Sequence, residues 1–456
     1  MKTGWLPDDG ANRWIEPLLA LAVLLTGGYA IALLLVRGGL PQPFFYQSFD
    51  VWMDWFNTAF WAHNPGAYDA WATLYPPISF VYLKPLTWGP CYVANEGWYS
   101  RDCDLWGRFT MHGWFVLNIF LTGLTFLKID RRTALFRSFV VCAGMPMLDA
   151  LERGNLLMAC YTCYLLGHGP LLKSARLRML FVGMSINFKI YLVGTLFAYA
   201  VRRRWRWFEG ATLSVIAVYV ATWAMVGAGT PKEIITNLVA WAGATSQPSS
   251  FLDLWYATTY VPVVSLLTSQ SFPILELGGS DLVELGAMLL PLLTHSVQGL
   301  IVLAFVAAWL RPEVVPTYRL VNLAGCIAMI TSEAGGYVQA LITLLTFFEP
   351  WRGGRGIRIA IVTAYIVSLS GDIYLGRLFT VLQGGFLNSG PVFYTYHMAI
   401  GPFLRPALIL LIAASLSCTT MRAVWRDIRT QGWKDRWRFR RDLPLLTGGA
   451  PNTETA

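Results

Sequence analysis

From residue 17 to residue 36 the chain reads PLLALAVLLTGGYAIALLLV, twenty residues without a charge. A stretch of that length crosses the hydrocarbon core of a bilayer as one helix, and its apolar surface has no dry or polar side to offer water. Similar runs recur, bounded by short basic clusters such as Lys128-Ile129-Asp130-Arg131-Arg132 and Arg202-Arg203-Arg204-Trp205-Arg206. Only 13% of the 456 residues are charged, against roughly 25% in soluble domains. The chain reads as an all-α polytopic membrane protein. Its net charge of +9 resides between apolar runs, the pattern of cytosolic loops. Membrane lipids are therefore expected partners, and nucleic acid is not.

The first run has no charged start and no small-residue cleavage site before it, so it reads as a retained helix. Residues 1–16 are placed in the cytosol by the basic residues elsewhere, although Arg37 argues mildly the other way. Residues 38–108 then form a first outer loop, with further outer loops at 230–281 and 371–402. The transmembrane domain covers 17–421, and a basic cytosolic tail covers 422–456, its last residues disordered. The tally is about twelve transmembrane or re-entrant helices, with amphipathic helices in the outer loops.

Three apolar runs are split by polar tips: Leu151-Glu152-Arg153-Gly154-Asn155, Asn187-Phe188-Lys189, and Ser332-Glu333-Ala334-Gly335-Gly336. Each run starts and ends at basic residues, and each arm is shorter than the ~20 residues of a perpendicular span. Polar groups at membrane depth persist only where they line a cavity. Three short hairpins thus imply a cavity opening toward the outer leaflet.

The first outer loop contains QSFDVWMDWFNTAFWAHNPGAYDAWATLYPPISFVYLKPL, from Gln47 to Leu86. Asp50 and Asp54 lie four apart, one helical turn, so both carboxylates can share one face. Trp52 and its aromatic neighbours suit a membrane interface or the face of a sugar. By themselves these residues fit an interfacial helix with two solvated acids slightly better than a catalytic loop. Farther on, GPCYVANEGWYSRDCDLWGR holds Cys91 and Cys103 in a polar setting, where an oxidising compartment would pair them. Cys142, Cys160, Cys163, Cys326 and Cys418 lie in apolar runs as small hydrophobes. The CxxC spacing of Cys160 and Cys163 has no partner group, and no metal site is expected. Nucleotide-binding, zincin and Ser-elbow motifs are missing too.

An Asp after the first transmembrane helix, an aromatic-rich helix, a break at His63-Asn64-Pro65-Gly66 and then Tyr75-Pro76-Pro77 before an apolar run resemble the GT-C glycosyltransferases. More narrowly, they are similar to the polyprenol-phosphate-mannose-dependent α-mannosyltransferases. The spacing from Asp50 to Pro65 and Tyr75 fits the family's opening better than a start at Asp54. INFKIYLVGTLFAYAVRRRWRW, around Lys189, looks like the family's lysine, short helix and basic anchor, without the Pro that often follows that lysine. Glu152-Arg153-Gly154-Asn155 resembles its Gly-Gln-x-Asn tip. Relatives often carry one or two His before a Tyr where this chain has Gly335 and Gly336 ahead of Tyr337.

The resemblance implies a GT-C fold and an enzyme of a bacterial plasma membrane with its site facing the periplasm. A sugar, mannose in the relatives, would pass from a polyprenyl-phosphate donor to a lipid- or glycan-linked acceptor by inverting displacement, without cofactor or metal. Asp50 is implied as the general base, with Asp54 in reserve. Lys189 is the implied cation for the donor phosphate and Arg153 a further candidate, although Arg153 fits a simple pair with Glu152 or Asp149 equally well. Arg377 and His397, from a last outer loop without a family counterpart, are the candidates to stand in for the family's His. Trp52, Tyr75, Asn155, Glu333 and Tyr337 are the expected substrate contacts. A transporter or flippase of a polyprenyl-linked glycan would explain the cavity and the basic residues as well. The lack of internal repeats weighs against it.

Overall fold

The computed structural model describes residues 12–44, 47–93, 97–245, 254, 257–268, 274–333, 335–385 and 390–433. The start of the N-terminal segment, Asp253, Ala334 and the tail from Lys434 onward, with Arg436, lie outside the described residues.

The elements, in chain order, are α1 (Asn12–Arg37), α2 (Met53–His63), α3 (Pro77–Leu83), α4 (Gly97–Cys103), α5 (Leu105–Ile129), α6 (Ala134–Ala143), α7 (Met145–Arg153), α8 (Leu157–His168) and α9 (Ala175–Phe188). There follow α10 (Leu196–Val201), α11 (Trp205–Val226), α12 (Pro231–Thr245), α13 (Val261–Thr268), α14 (Ile274–Leu310), α15 (Thr317–Thr331), α16 (Gln339–Thr346) and α17 (Arg355–Val367). A hairpin of β1 (Tyr374–Gly384) and β2 (Pro391–Ala399) precedes α18 (Gly401–Gln431). Among the described residues, six helical stretches are long and apolar enough to cross a membrane. The protein is mostly helical and membrane-spanning.

The expected helical membrane architecture holds for most of the chain, and one segment departs from all-α. The segment expected as the third outer loop forms the antiparallel β1–β2 hairpin, with Arg377 opposite His397. Its strands are rich in Tyr, Phe, Val and Thr, which fit a pleated surface better than a helix.

Helix α5 shows how a membrane solvent sorts side chains. It turns Val116, Phe120 and Leu127 outward and buries Asn118, Thr122 and Thr125. Asn118 Nδ2 donates to the Met158 carbonyl at 2.9 Å, and Thr122 bonds the Tyr161 hydroxyl at 2.8 Å. Lipid supplies no hydrophobic drive between helices, so small and polar groups form the contact instead. Charge is buried where it is satisfied. Arg137 makes two hydrogen bonds to Glu16, each 2.9 Å, and donates to the carbonyls of Phe347 and Glu349. Tyr365 donates to the same glutamate, so α1, α6, α17 and the end of α16 meet at one ion pair. Removing one partner of such a pair costs about 3–5 kcal/mol.

The helices run between two ends. At one, Arg202 bonds the Val315 carbonyl, Arg203 that of Trp309, Lys128 that of Leu171, and Arg311 pairs with Asp427. These are the basic turns. At the other end lie the first loop, the three polar tips and the hairpin. Gly144 is the bend that delivers α7 there. The run of α6 breaks before Pro146 and turns against α17, with Met145 N donating to the Ser368 carbonyl at 2.9 Å.

Candidate functional site

The first loop is held by a covalent and hydrogen-bonded brace. Cys91 and Cys103 form a disulfide with Cα atoms 5.8 Å apart, as the polar segment predicts. Asp104 caps α5 by accepting from Gly107 N at 2.7 Å, and it also accepts from the Tyr92 hydroxyl and Trp88 N. These bonds fix α4, which carries Arg101. The Arg101 guanidinium donates to the carbonyls of Phe49 and Val51 at 2.8 and 2.9 Å. Asp50 is thereby clamped from both sides along its own backbone. Arg101 is a residue of the candidate site that sequence reading missed, since nothing local links it to a turn 50 residues earlier.

Trp52, expected as a sugar contact, first serves the backbone. It takes a left-handed conformation (φ 67°) at the start of α2, and its N–H donates to the Glu152 carbonyl at 2.7 Å. Its ring meets His112 edge-on at 4.9 Å. Gly154 (φ 62°) lies against it, and a Cβ there would stand 2.9 Å from the Trp52 carbonyl oxygen. Glycine permits both the conformation and the approach. The loop and the α7–α8 tip are thus joined through backbone.

That junction brings the acids onto the tip. Arg153 bonds Asp50 through Nη1 and Asp54 through Nη2, the latter at 3.0 Å. Asn155 Nδ2 donates to the other Asp54 oxygen at 2.6 Å and approaches the Tyr75 hydroxyl at 3.4 Å. Asp54 thus has both oxygens engaged, whereas Asp50 is held by Arg153 through one. Burial pushes the Asp50 carboxyl above its ordinary value, against the opposing pull of Arg153. Burial likewise raises the Tyr75 phenol. Glu152 carries both carboxylate oxygens buried without a hydrogen-bond partner. It too escaped the sequence reading as a site residue.

Lys189 reaches the cluster from the α9–α10 turn. It is 8% exposed, with its ammonium 5.4 Å from the ring centre of Tyr75 and 5.2 Å from that of Tyr337, within cation–π range. No carboxylate pairs with it among the described residues. Tyr337 comes from the third tip, so all three tips meet the loop here.

Other expected contacts lie elsewhere or are already occupied. Glu333 accepts from the backbone and hydroxyl groups of Thr258 and Thr259 at 2.7–3.1 Å, anchoring the segment before α13. Arg377 is exposed and donates to Thr380 on its own strand at 2.7 Å. His397 stacks on Tyr374 with ring centres 4.4 Å apart. Neither forms a hydrogen bond or ion pair with Lys189, Arg153 or the two acids.

Searches with the whole chain against protein-family models, characterised proteins and solved structures return no match. The site's chemistry is therefore read from its own residues: one open carboxylate, one committed carboxylate, an arginine between them and a buried lysine facing aromatic rings.

Proposed function

We propose that the protein is a GT-C-type glycosyltransferase. It takes a hexose, mannose by resemblance, from a polyprenyl-phosphate donor and passes it to a lipid- or glycan-linked acceptor on the outer face of a bacterial plasma membrane. The single observation that carries the reading is Lys189, a buried ammonium without a carboxylate partner beside an Asp pair. A lysine in that position is costly unless an anion meets it, and a donor phosphate is such an anion.

In the proposed reaction Asp50 takes the proton of the acceptor hydroxyl. The acceptor oxygen forms a bond to the anomeric carbon from the face opposite the phosphate, and the carbon–oxygen bond to the phosphate breaks. The electron pair leaves with the polyprenyl phosphate, whose growing charge Lys189 stabilises. Configuration inverts and no covalent enzyme intermediate forms. Asp54 and Asn155 orient Arg153. A shift of Arg153 from Asp50 toward the phosphate would leave Asp50 a stronger base as the donor binds.

The test uses purified protein in lipid vesicles with polyprenyl-phosphate-[14C]mannose and a membrane-lipid acceptor extract. Labelled product from the wild type and none from Asp50→Asn is the expected result. Movement of a lipid-linked glycan across the vesicle without sugar transfer would replace this reading with a transporter.

A further inference from the structure

A second polar cleft lies at the end of the molecule away from Asp50. It is a small, half-open cleft, and Arg178, Arg204, His168, Tyr199, Trp207 and Thr317 line it. No carboxylate is among its lining residues. Arg178 is anchored by the carbonyls of Gly167 and His168 and lies over the Trp207 ring at 5.2 Å. The Arg204 side chain makes no hydrogen bond or ion pair among the described residues. His168 is 9% exposed, and its Nε2 is buried with no partner, while Nδ1 meets the Tyr199 hydroxyl at 3.1 Å. Two helices, α11 and α15, begin at this cleft, each without a side-chain cap. The dipoles of their N-termini favour an anion.

The setting narrows the anion. Arg202 ties the turn before α11 to Val315 and Thr317 at 2.6 and 3.1 Å, so the cleft is framed by the basic turns. Trp205 and Trp309, both exposed, pack edge-to-face beside it at 6.3 Å. Tryptophan pairs beside basic turns mark the level of lipid headgroups. Anionic lipids are drawn to such a surface, and guanidinium forks match phosphate oxygens.

We propose that this cleft binds the phosphate of an anionic phospholipid headgroup. Arg204 and Arg178 flank the phosphate, the unpartnered His168 ring nitrogen meets the headgroup, and the dipoles of the two helix starts favour its charge. This site is independent of the proposed transfer, since it shares no residue with the Asp50 cluster.

The experiment titrates full-length protein in nonionic detergent with dioctanoyl phosphatidylglycerol, dioctanoyl phosphatidylcholine or inorganic phosphate, reading thermal stability and bound lipid by native mass spectrometry. Phosphatidylglycerol should be retained and should raise Tm, and phosphatidylcholine should do neither. Arg204→Gln should weaken phosphatidylglycerol binding about tenfold, the loss of one charge-assisted hydrogen bond. Its lipid-free Tm should stay unchanged, because the guanidinium holds nothing else. Equal binding by Arg204→Gln, or equal binding of phosphatidylcholine, would overturn the site. Stabilisation by inorganic phosphate as strong as by phosphatidylglycerol would overturn the lipid assignment and leave a free-phosphate site.

Discussion

Asn155 donates its side-chain amide to Asp54 across 2.6 Å, although 101 positions separate the two in sequence. That bond occupies one Asp54 oxygen while Arg153 occupies the other. Asp54 is therefore a fixed anchor, and in the proposed reaction Asp50 is the carboxylate with an oxygen left for a proton.

The first prediction follows from this division. Asp50→Asn should lower sugar transfer by ~10²–10⁴-fold, the usual effect of removing a general base. Asp54→Asn should cost less and should act through binding, because it loosens Arg153 and Asn155 rather than the proton acceptor. A kcat/KM series on both variants checks it. Full activity in Asp50→Asn with loss in Asp54→Asn would exchange the roles.

The second concerns pH. A protonated Asp50 cannot accept a proton, so transfer should rise with pH as Asp50 ionises. Burial holds that ionisation above the ordinary aspartate value, and Arg153 opposes the shift. The acid limb of kcat/KM should accordingly lie above the usual aspartate range. Arg153→Gln, by removing the stabilising charge, should move it to still higher pH. A limb unmoved by that substitution would place the titration on another group.

The third separates two of the four expected phosphate cations. Lys189→Met should reduce transfer by roughly 10²-fold, as loss of a buried charge at a leaving group does. Arg377→Met, altering an exposed side chain whose hydrogen bond stays within its own strand, should change the rate little. Comparable losses in the two variants, both folded by circular dichroism, would bring the hairpin into the site.

The fourth tests the junction under the acids. Gly154→Ala puts a Cβ 2.9 Å from the Trp52 carbonyl oxygen at a left-handed φ, a strain of about 1–3 kcal/mol. A lowered Tm is expected, together with slower transfer, because the tip that carries Arg153 must shift. Arg101→Ala should slow transfer in the same manner by releasing the turn at Asp50. Unchanged Tm and rate in Gly154→Ala would mean that the loop and tip are not rigidly coupled.

How far the sequence went depended on whether a feature is local. Uncharged twenty-residue runs specify membrane helices wherever they stand, because burial of backbone and side chains in lipid is decided segment by segment. Cys91 and Cys103, twelve apart in one polar segment, were legible as a pair for the same reason. The β1–β2 hairpin was also written locally, in YLGRLFTVLQG and PVFYTYHMA, and the alternation of aromatic and β-branched residues was a signal passed over. Lys189 and Asn155 were recognisable as costly residues for a membrane chain, and Asp50 by its spacing from Asp54 and Tyr75, but not as neighbours. Only the tertiary structure decided that Arg153 bonds Asp50 and Asp54 rather than Glu152 or Asp149, that Arg101 clamps the Asp50 turn, and that Glu333 holds Thr258 and Thr259. Each of those bonds joins segments 50 to 103 residues apart. Their geometry is set by where helices bend and how deeply tips pack, as at Gly144 and Gly154, and no local periodicity encodes which tips will meet.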